Sequence, residues 1–291
     1  MKVSILSVEE MELHWSDLND SNMDEIVKKE PDFFSHLEEL RKRLIYILLL
    51  TVSMAVLCFF FIDELFRFVI LAPMNGDFMT FRWLCSIGQF FGANFLCDIK
   101  PNFFLINIEM AGQFMAHIRI SAVGGLVLTF PWILFQLWRF LKPGLYKAEQ
   151  KRVRKFVFSG SLLFFTGVAF AWLIILPFAV MFLGNYRISP DIANQIHMNS
   201  YISMILTTVL MTGMLFELPL LIGVLTSVGV ITPKFLKKYR RHGIVASFIL
   251  AAIITPTTDV VTLLLVAVPL TLLYEGGIWI SSRVARKLPN D

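Results

Sequence analysis

The residues of this sequence with chemistry to offer are carboxylates in surroundings that do not suit them. Glu217 lies in the apolar string Met214-Leu215-Phe216-Glu217-Leu218-Pro219, where an acid facing lipid costs a few kcal/mol. It must face protein, water or a partner, either as a functional group or as a protonated acid hydrogen-bonded across helices. Glu149 is the one carboxylate in the stretch from Arg139 to Lys155, which carries seven cations. It either accepts a guanidinium from a partner or pairs with Arg152 or a neighbouring Lys, and charge logic alone favours the simple pairing. A third group is Ser35-His36-Leu37-Glu38-Glu39-Leu40-Arg41-Lys42-Arg43. There Ser35 and Glu38 have capping-box spacing, while Glu38 with Lys42 and Glu39 with Arg43 are i,i+4 pairs. A capped, charge-paired helix start at a membrane surface accounts for these residues without any function. Asp259 closes Thr255-Pro256-Thr257-Thr258-Asp259, where an Asx-type cap is the simpler role.

Nucleophilic or metal chemistry is not signalled. The five histidines, His14, His36, His117, His197 and His242, are nowhere at metal-ligand spacing, and neither H-E-x-x-H nor G-x-S-x-G occurs. No P-loop is present either, so no nucleotide-driven step is expected. The sequence leads to a non-enzyme with no metal and no cofactor.

The elements that hold these carboxylates are set by composition. Of 291 residues, 56% are hydrophobic and 16% charged, and 28 are Phe. Mean hydropathy is +0.69. This excludes a water-soluble enzyme, a disordered chain and a nucleic-acid-binding chain, and defines an integral membrane protein. The first uninterrupted apolar run, Leu44 to Ile62, opens after Arg41, Lys42 and Arg43, and its 19 residues reach ~28 Å as helix. Further runs are Ile120 to Trp138, Phe156 to Leu183 and Ile202 to Val228. The run from Ile244 to Ile280 has 37 residues, and basic clusters flank both of its ends. Such clusters prefer one side of the membrane, which requires an even number of crossings and hence a hairpin broken at Thr255 to Asp259. The expected fold is therefore all-α integral membrane, with six transmembrane helices and the last two short.

Basic residues orient it. Twenty-one of the 26 Lys and Arg fall in the N-terminal tail, the Arg139 to Lys155 loop, the loop after Val228 and the C-terminus. By the positive-inside rule both termini are cytoplasmic. The first 43 residues carry eleven carboxylates and no apolar core, so the tail is expected to stay on the chain. The organisation expected is a polar acidic extension over 1–32, a six-span domain over 33–285 and a short tail over 286–291. Asp63 to His117 is the longest piece on the far side and must carry its own structure or pack on the spans. It holds Cys85 and Cys97, which either form a disulfide on an oxidising face or are two partly buried small residues. Cys58 lies in the first span as packing. Pro131, Pro177, Pro219 and Pro269 sit in or beside spans and kink them.

Taken together, these segments resemble the C subunit of the twin-arginine protein translocase (TatC). The resemblance rests on His36-Leu37-Glu38-Glu39-Leu40-Arg41-Lys42-Arg43-Leu44, on Leu71-Ala72-Pro73, on Phe135-Gln136-Leu137-Trp138-Arg139-Phe140 with Pro143-Gly144-Leu145-Tyr146 and Glu149, and on Phe216-Glu217-Leu218-Pro219. The turn Thr255-Pro256-Thr257-Thr258-Asp259 and Leu272-Leu273-Tyr274-Glu275 complete it, over roughly residues 33 to 282. It implies a receptor in the cytoplasmic (inner) membrane that binds Arg-Arg signal peptides of folded cargo, with Glu39 and Glu149 in the positions of the recognition carboxylates. Phe140 and Leu145 would help hold the peptide, and Arg41 matches a position of the same tail motif. It also implies that Glu217, beside Pro219, contacts single-span partner subunits of the TatA/TatB type within an oligomeric complex. Pro73, Thr255, Pro256 and Asp259 fall at its structural turns. Two features depart from the family: Thr258 stands where a proline is usual, and the Asp63 to His117 loop is long. The alternatives are a proton-coupled secondary solute transporter using Glu217, or a scaffold indifferent to Arg-Arg against Lys-Lys signals.

Overall fold

A backbone N–H or C=O in hydrocarbon has no water to bond, so spanning segments of this composition must satisfy themselves as helix. The computed structural model describes residues 33–90, 92, 97, 103–141, 153–189, 191, 194–255 and 259–286. Five helices among them are long and apolar enough to cross a membrane: Leu37–Phe60, Gly112–Phe140, Phe156–Asn185, Met198–Ser227 and Val260–Ala285.

The chain divides into two units, residues 1–46 and 47–291. Helix α1 (Phe33–Phe60) begins in the first and ends in the second. In the first unit both i,i+4 pairs form: Glu38 reaches Lys42 Nζ at 2.8 Å, and Glu39 accepts from the Arg43 guanidinium. The helix starts at Phe33, two residues ahead of the expected Ser35 cap.

In the second unit, α2 (Met79–Phe90) and strand β1 (Phe104–Ile106) precede α3 (Gly112–Leu141). The third span joins α4 (Val153–Phe170) to α5 (Leu176–Asn185) through a π-helical turn, Ala171–Ile175, just ahead of Pro177. Strand β2 (Gln195–His197) leads into α6 (Met198–Phe216) and α7 (Leu218–Ser227), which form the fourth span and part at Glu217. After these come α8 (Pro233–Lys238), α9 (Arg240–Ile254) and α10 (Val260–Ala285). Pro131 and Pro269 sit inside unbroken helices. Ile70, Ile175, Leu176, Ile202, Ile205 and Leu270 form the centre of the core.

Small residues set the helix contacts, as expected where lipid is as apolar as Leu and only close packing favours association. A Cβ on Gly125 of α3 would stand 2.5 Å from the Ala55 backbone nitrogen of α1. One on Gly124 would meet Cys58 Sγ at 3.1 Å. The Thr51 and Thr129 hydroxyls, 3.2 Å apart, complete that contact.

Two expectations need correction. The fold is not wholly α-helical, because β1 and β2 pair in parallel, with Phe104 opposite Gln195 and Ile106 opposite His197. The two long connections on that face thereby satisfy part of their backbone on each other. The last two helices are not both short: α9 has 15 residues but α10 has 26. The break lies near the Arg240 side of the apolar run, and α10 continues past Ile280 because Ser281 is buried against the Thr226 hydroxyl at 2.8 Å. At the break, Thr255 returns both its N–H and its hydroxyl to Ala251 O at 2.9 Å. Asp259 caps α10 by accepting the Thr262 N–H at 2.7 Å. Pro256 lies outside the described residues.

Gly125→Ala should cost about 1–3 kcal/mol, because its Cβ overpacks a backbone that cannot step aside. Gly276, whose Cβ would meet nothing within 4 Å, should gain roughly 0.5–1 kcal/mol on mutation to Ala. Thermal unfolding of the purified variants in detergent measures both, and equal shifts would refute the close-contact argument.

Candidate functional site

Glu217 occupies the break in the fourth span. Pro219, in the first turn of α7, has no N–H for the Leu215 carbonyl, so the α-helical ladder cannot run through. Glu217 instead donates its N–H to Met214 O at 3.1 Å, while its own carbonyl accepts from Leu221 at 2.9 Å. The side chain faces α4. A Cβ on Gly160 would stand 2.7 Å from Leu134 Cδ1, 2.9 Å from Leu220 Cδ2 and 3.2 Å from Glu217 Oε2, so the absent side chain of Gly160 is the space the carboxylate uses. Both carboxylate oxygens are buried, and neither makes a hydrogen bond of normal geometry to a described residue. Beside this cleft Phe164, fully buried, stacks on Phe130 at 3.5 Å. A proton donor or cation brought by another chain would satisfy the acid.

Among the surface candidates, Glu39 and Arg41 belong to the first unit, where Arg41 is exposed and Glu39 holds Arg43. Phe140 is half-buried at the end of α3, just past Trp138, which packs on Phe156 at 4.1 Å. Leu145 and Glu149 lie outside the described residues. Pro73 is buried in a 3-10 turn, Ala72–Met74. Cys85 and Cys97 are joined by a disulfide. Among the described residues no group of His, Cys, Asp and Glu could hold a metal.

Sequence reasoning missed a second polar centre. Arg240, at the start of α9, grips Glu275 of α10 with two guanidinium nitrogens, one of them 2.6 Å from Oε2. Such a fork is specific to Arg. Next to it the Tyr274 hydroxyl donates to Leu236 O at 3.1 Å, and its ring fills the place of a side chain at Gly243. The signal was present in Tyr274-Glu275, but Arg240 had served only as a topology marker.

Several apolar helices long enough to cross a membrane, packed around a buried acid, define a multi-pass membrane protein. The family profile described as "Sec-independent protein translocase protein (TatC)" matches residues 35–269. A protein of that name from Blattabacterium is 33% identical over 262 residues, 89% of this chain and 98% of its own. One from Helicobacter pylori is 37% identical over 254 residues, 87% of this chain and 90% of its own. A crystal structure of the twin-arginine translocase receptor TatC superimposes with a TM-score of 0.67 at 32% identity, over 86% of this chain and 100% of that one. The chain belongs to the TatC family of Sec-independent protein translocase components, a family of non-enzymatic, multi-pass membrane proteins.

Gly243→Val should separate α9 from α10, because the new side chain must displace the Tyr274 ring. The expected outcome is a lower unfolding temperature and faster proteolysis of the segment after Val228. Tyr274→Phe, losing only one hydrogen bond, should cost about 0.5–1.5 kcal/mol. A Gly243→Val protein as stable as the parent would refute the packing.

Proposed function

We propose that this chain is the receptor subunit of a twin-arginine translocase, which binds Arg-Arg signal peptides of folded cargo and recruits single-span TatA/TatB-type subunits. The observation that carries this is the family match over residues 35–269, which encloses Glu39, Arg41, Phe140, Leu145, Glu149, Glu217 and Pro219. Glu39 and Glu149 are the recognition carboxylates. A planar guanidinium pairs with a carboxylate through two parallel hydrogen bonds, which a Lys ammonium cannot do. In the absence of peptide Glu39 is occupied by Arg43, so a signal-peptide arginine must compete with Arg43 for the carboxylate. Phe140 and Leu145 hold the apolar part of the peptide. Glu217, unsatisfied beside Gly160, meets a polar group of a partner helix, with Pro219 fixing its direction.

In this arrangement α9 is the fifth crossing along the chain and brings the total to six. Both termini are cytoplasmic, the protein lies in the inner membrane within an oligomeric complex, and transport draws on a membrane potential or proton gradient. A solute transporter built on Glu217 is less well supported, since the sequence has no inverted repeat of the kind such transporters use.

In lipid nanodiscs, the protein should bind an Arg-Arg signal peptide more tightly than its Lys-Lys twin. Glu39→Gln or Glu149→Gln should each remove about 1.5–3 kcal/mol, roughly a tenfold to hundredfold loss. Equal affinity for both peptides, with the partner subunits present, would favour a scaffold. Glu217→Ala should reduce co-purification of the single-span subunits while peptide affinity stays; equal loss of both would sink the separation of the two sites.

A further inference from the structure

The helix α2 (Met79–Phe90) carries three chemically distinct faces. At about 100° per residue, Thr80, Phe81 and Gly88 lie on one side, and all three are buried. Arg82, Ser86 and Gln89 lie on a second side, exposed and polar. Met79, Trp83, Ile87 and Phe90 fall between them within an arc of about 80°, and are 43%, 53%, 55% and 85% exposed. A helix between protein and water alone has use for only two of these faces. The third calls for an apolar medium bordering the water.

The height of the helix agrees. The Thr80 hydroxyl, in its first turn, donates to Leu173 O of the third span. Leu173 lies 17 residues from the Phe156 end of that span, ~25 Å along a helix. Upstream, Ile70 O accepts from Tyr201 at 2.9 Å, and Tyr201 lies 26 residues from the Ser227 end of the fourth span, ~39 Å along a helix. These two heights bracket the far edge of a ~30 Å hydrocarbon core. The Phe78 ring, edge-on to Trp172 at 5.0 Å, and the Cys85–Cys97 disulfide fasten the packed side.

We propose that α2 is an interfacial helix, embedded in the leaflet on the face that carries β1 and β2, with Met79, Trp83, Ile87 and Phe90 among acyl chains. Arg82 and Gln89 then stand at the phosphate layer. Phe60 at the end of the first span and Phe68 a little beyond it are likewise exposed apolar residues, at 79% and 68%. Trp at the acyl boundary with a flanking Arg is the composition such helices use.

Spin labels placed singly at 79, 82, 83, 86, 87, 89 and 90, in a Cys58→Ala background with the disulfide intact, test this in nanodiscs. Labels at 79, 83, 87 and 90 should collide more with oxygen than with a water-soluble nickel chelate, and those at 82, 86 and 89 the reverse. Chelate access at all seven overturns lipid contact. Shielding of the stripe from both reagents also overturns it, and shows a second copy or another protein in its place. As a check without labels, lipids brominated near the headgroup should quench a tryptophan component that is lost in Trp83→Phe; an identical quenching curve for that variant contradicts the proposal.

Discussion

A departure from regular helix inside a span breaks a hydrogen-bond ladder in a medium that supplies no replacement. That constraint decides where the chain bends. At Glu217 the ladder loses a donor to Pro219, and the helix shortens to a three-residue closure on Met214 before restarting. In the third span the irregularity comes before Pro177, where a π-helical turn absorbs the misfit. At the last turn the loose ends are taken up by side chains, Thr255 on one side and Asp259 on the other. Each irregularity is thus closed by hydrogen bonds supplied close by in the chain.

Glycine determines what the helices can approach. A Cβ on Gly213 of α6 would meet Phe164 at 2.8 Å, and one on Gly167 of α4 would meet the Phe216 side chain at about the same distance. The two helices therefore interlock large residue into missing residue along one seam. Gly160 extends this seam one step further, but there the occupant is the Glu217 carboxylate rather than a ring. A packing device used elsewhere for stability becomes, at that one level, a polar cleft inside an apolar bundle.

Five apolar helices, the break between α9 and α10 and the Asp259 cap were legible because hydropathy and cap chemistry are local signals. The two-stranded sheet was not, since Phe104–Ile106 and Gln195–His197 lie some ninety residues apart and neither is long enough to show a strand period. The same holds for Asn199, which donates to Glu109 Oε2 at 2.7 Å across the same face. The apolar run ends at Ile280, but α10 continues to Ala285. Ser281 is polar but satisfied by Thr226, so burial continued where hydropathy had stopped. For the surface carboxylates the sequence supplied identity and the family supplied meaning; Glu149 taken alone looks like an ordinary paired acid.

The unequal last hairpin has a consequence for the membrane. Counting from Asp259, Glu275 lies 16 residues along α10, ~24 Å, level with Arg240 where α9 begins. Beyond that height α10 runs on beside α7 through Ser281 and Thr226. A paired guanidinium and carboxylate, both partly exposed, belong at headgroup level, since in hydrocarbon each would be costly. With α9 as the crossing proposed above, Asp259 then stands ~6 Å short of the opposite edge of a ~30 Å core. The turn can lie that deep because Thr255 and Asp259 satisfy the helix ends themselves. Otherwise the leaflet thins to meet it, at fractions of a kcal/mol per Å. Either way, with α9 as that crossing, the hydrocarbon path along it is set by a 15-residue helix and one ion pair.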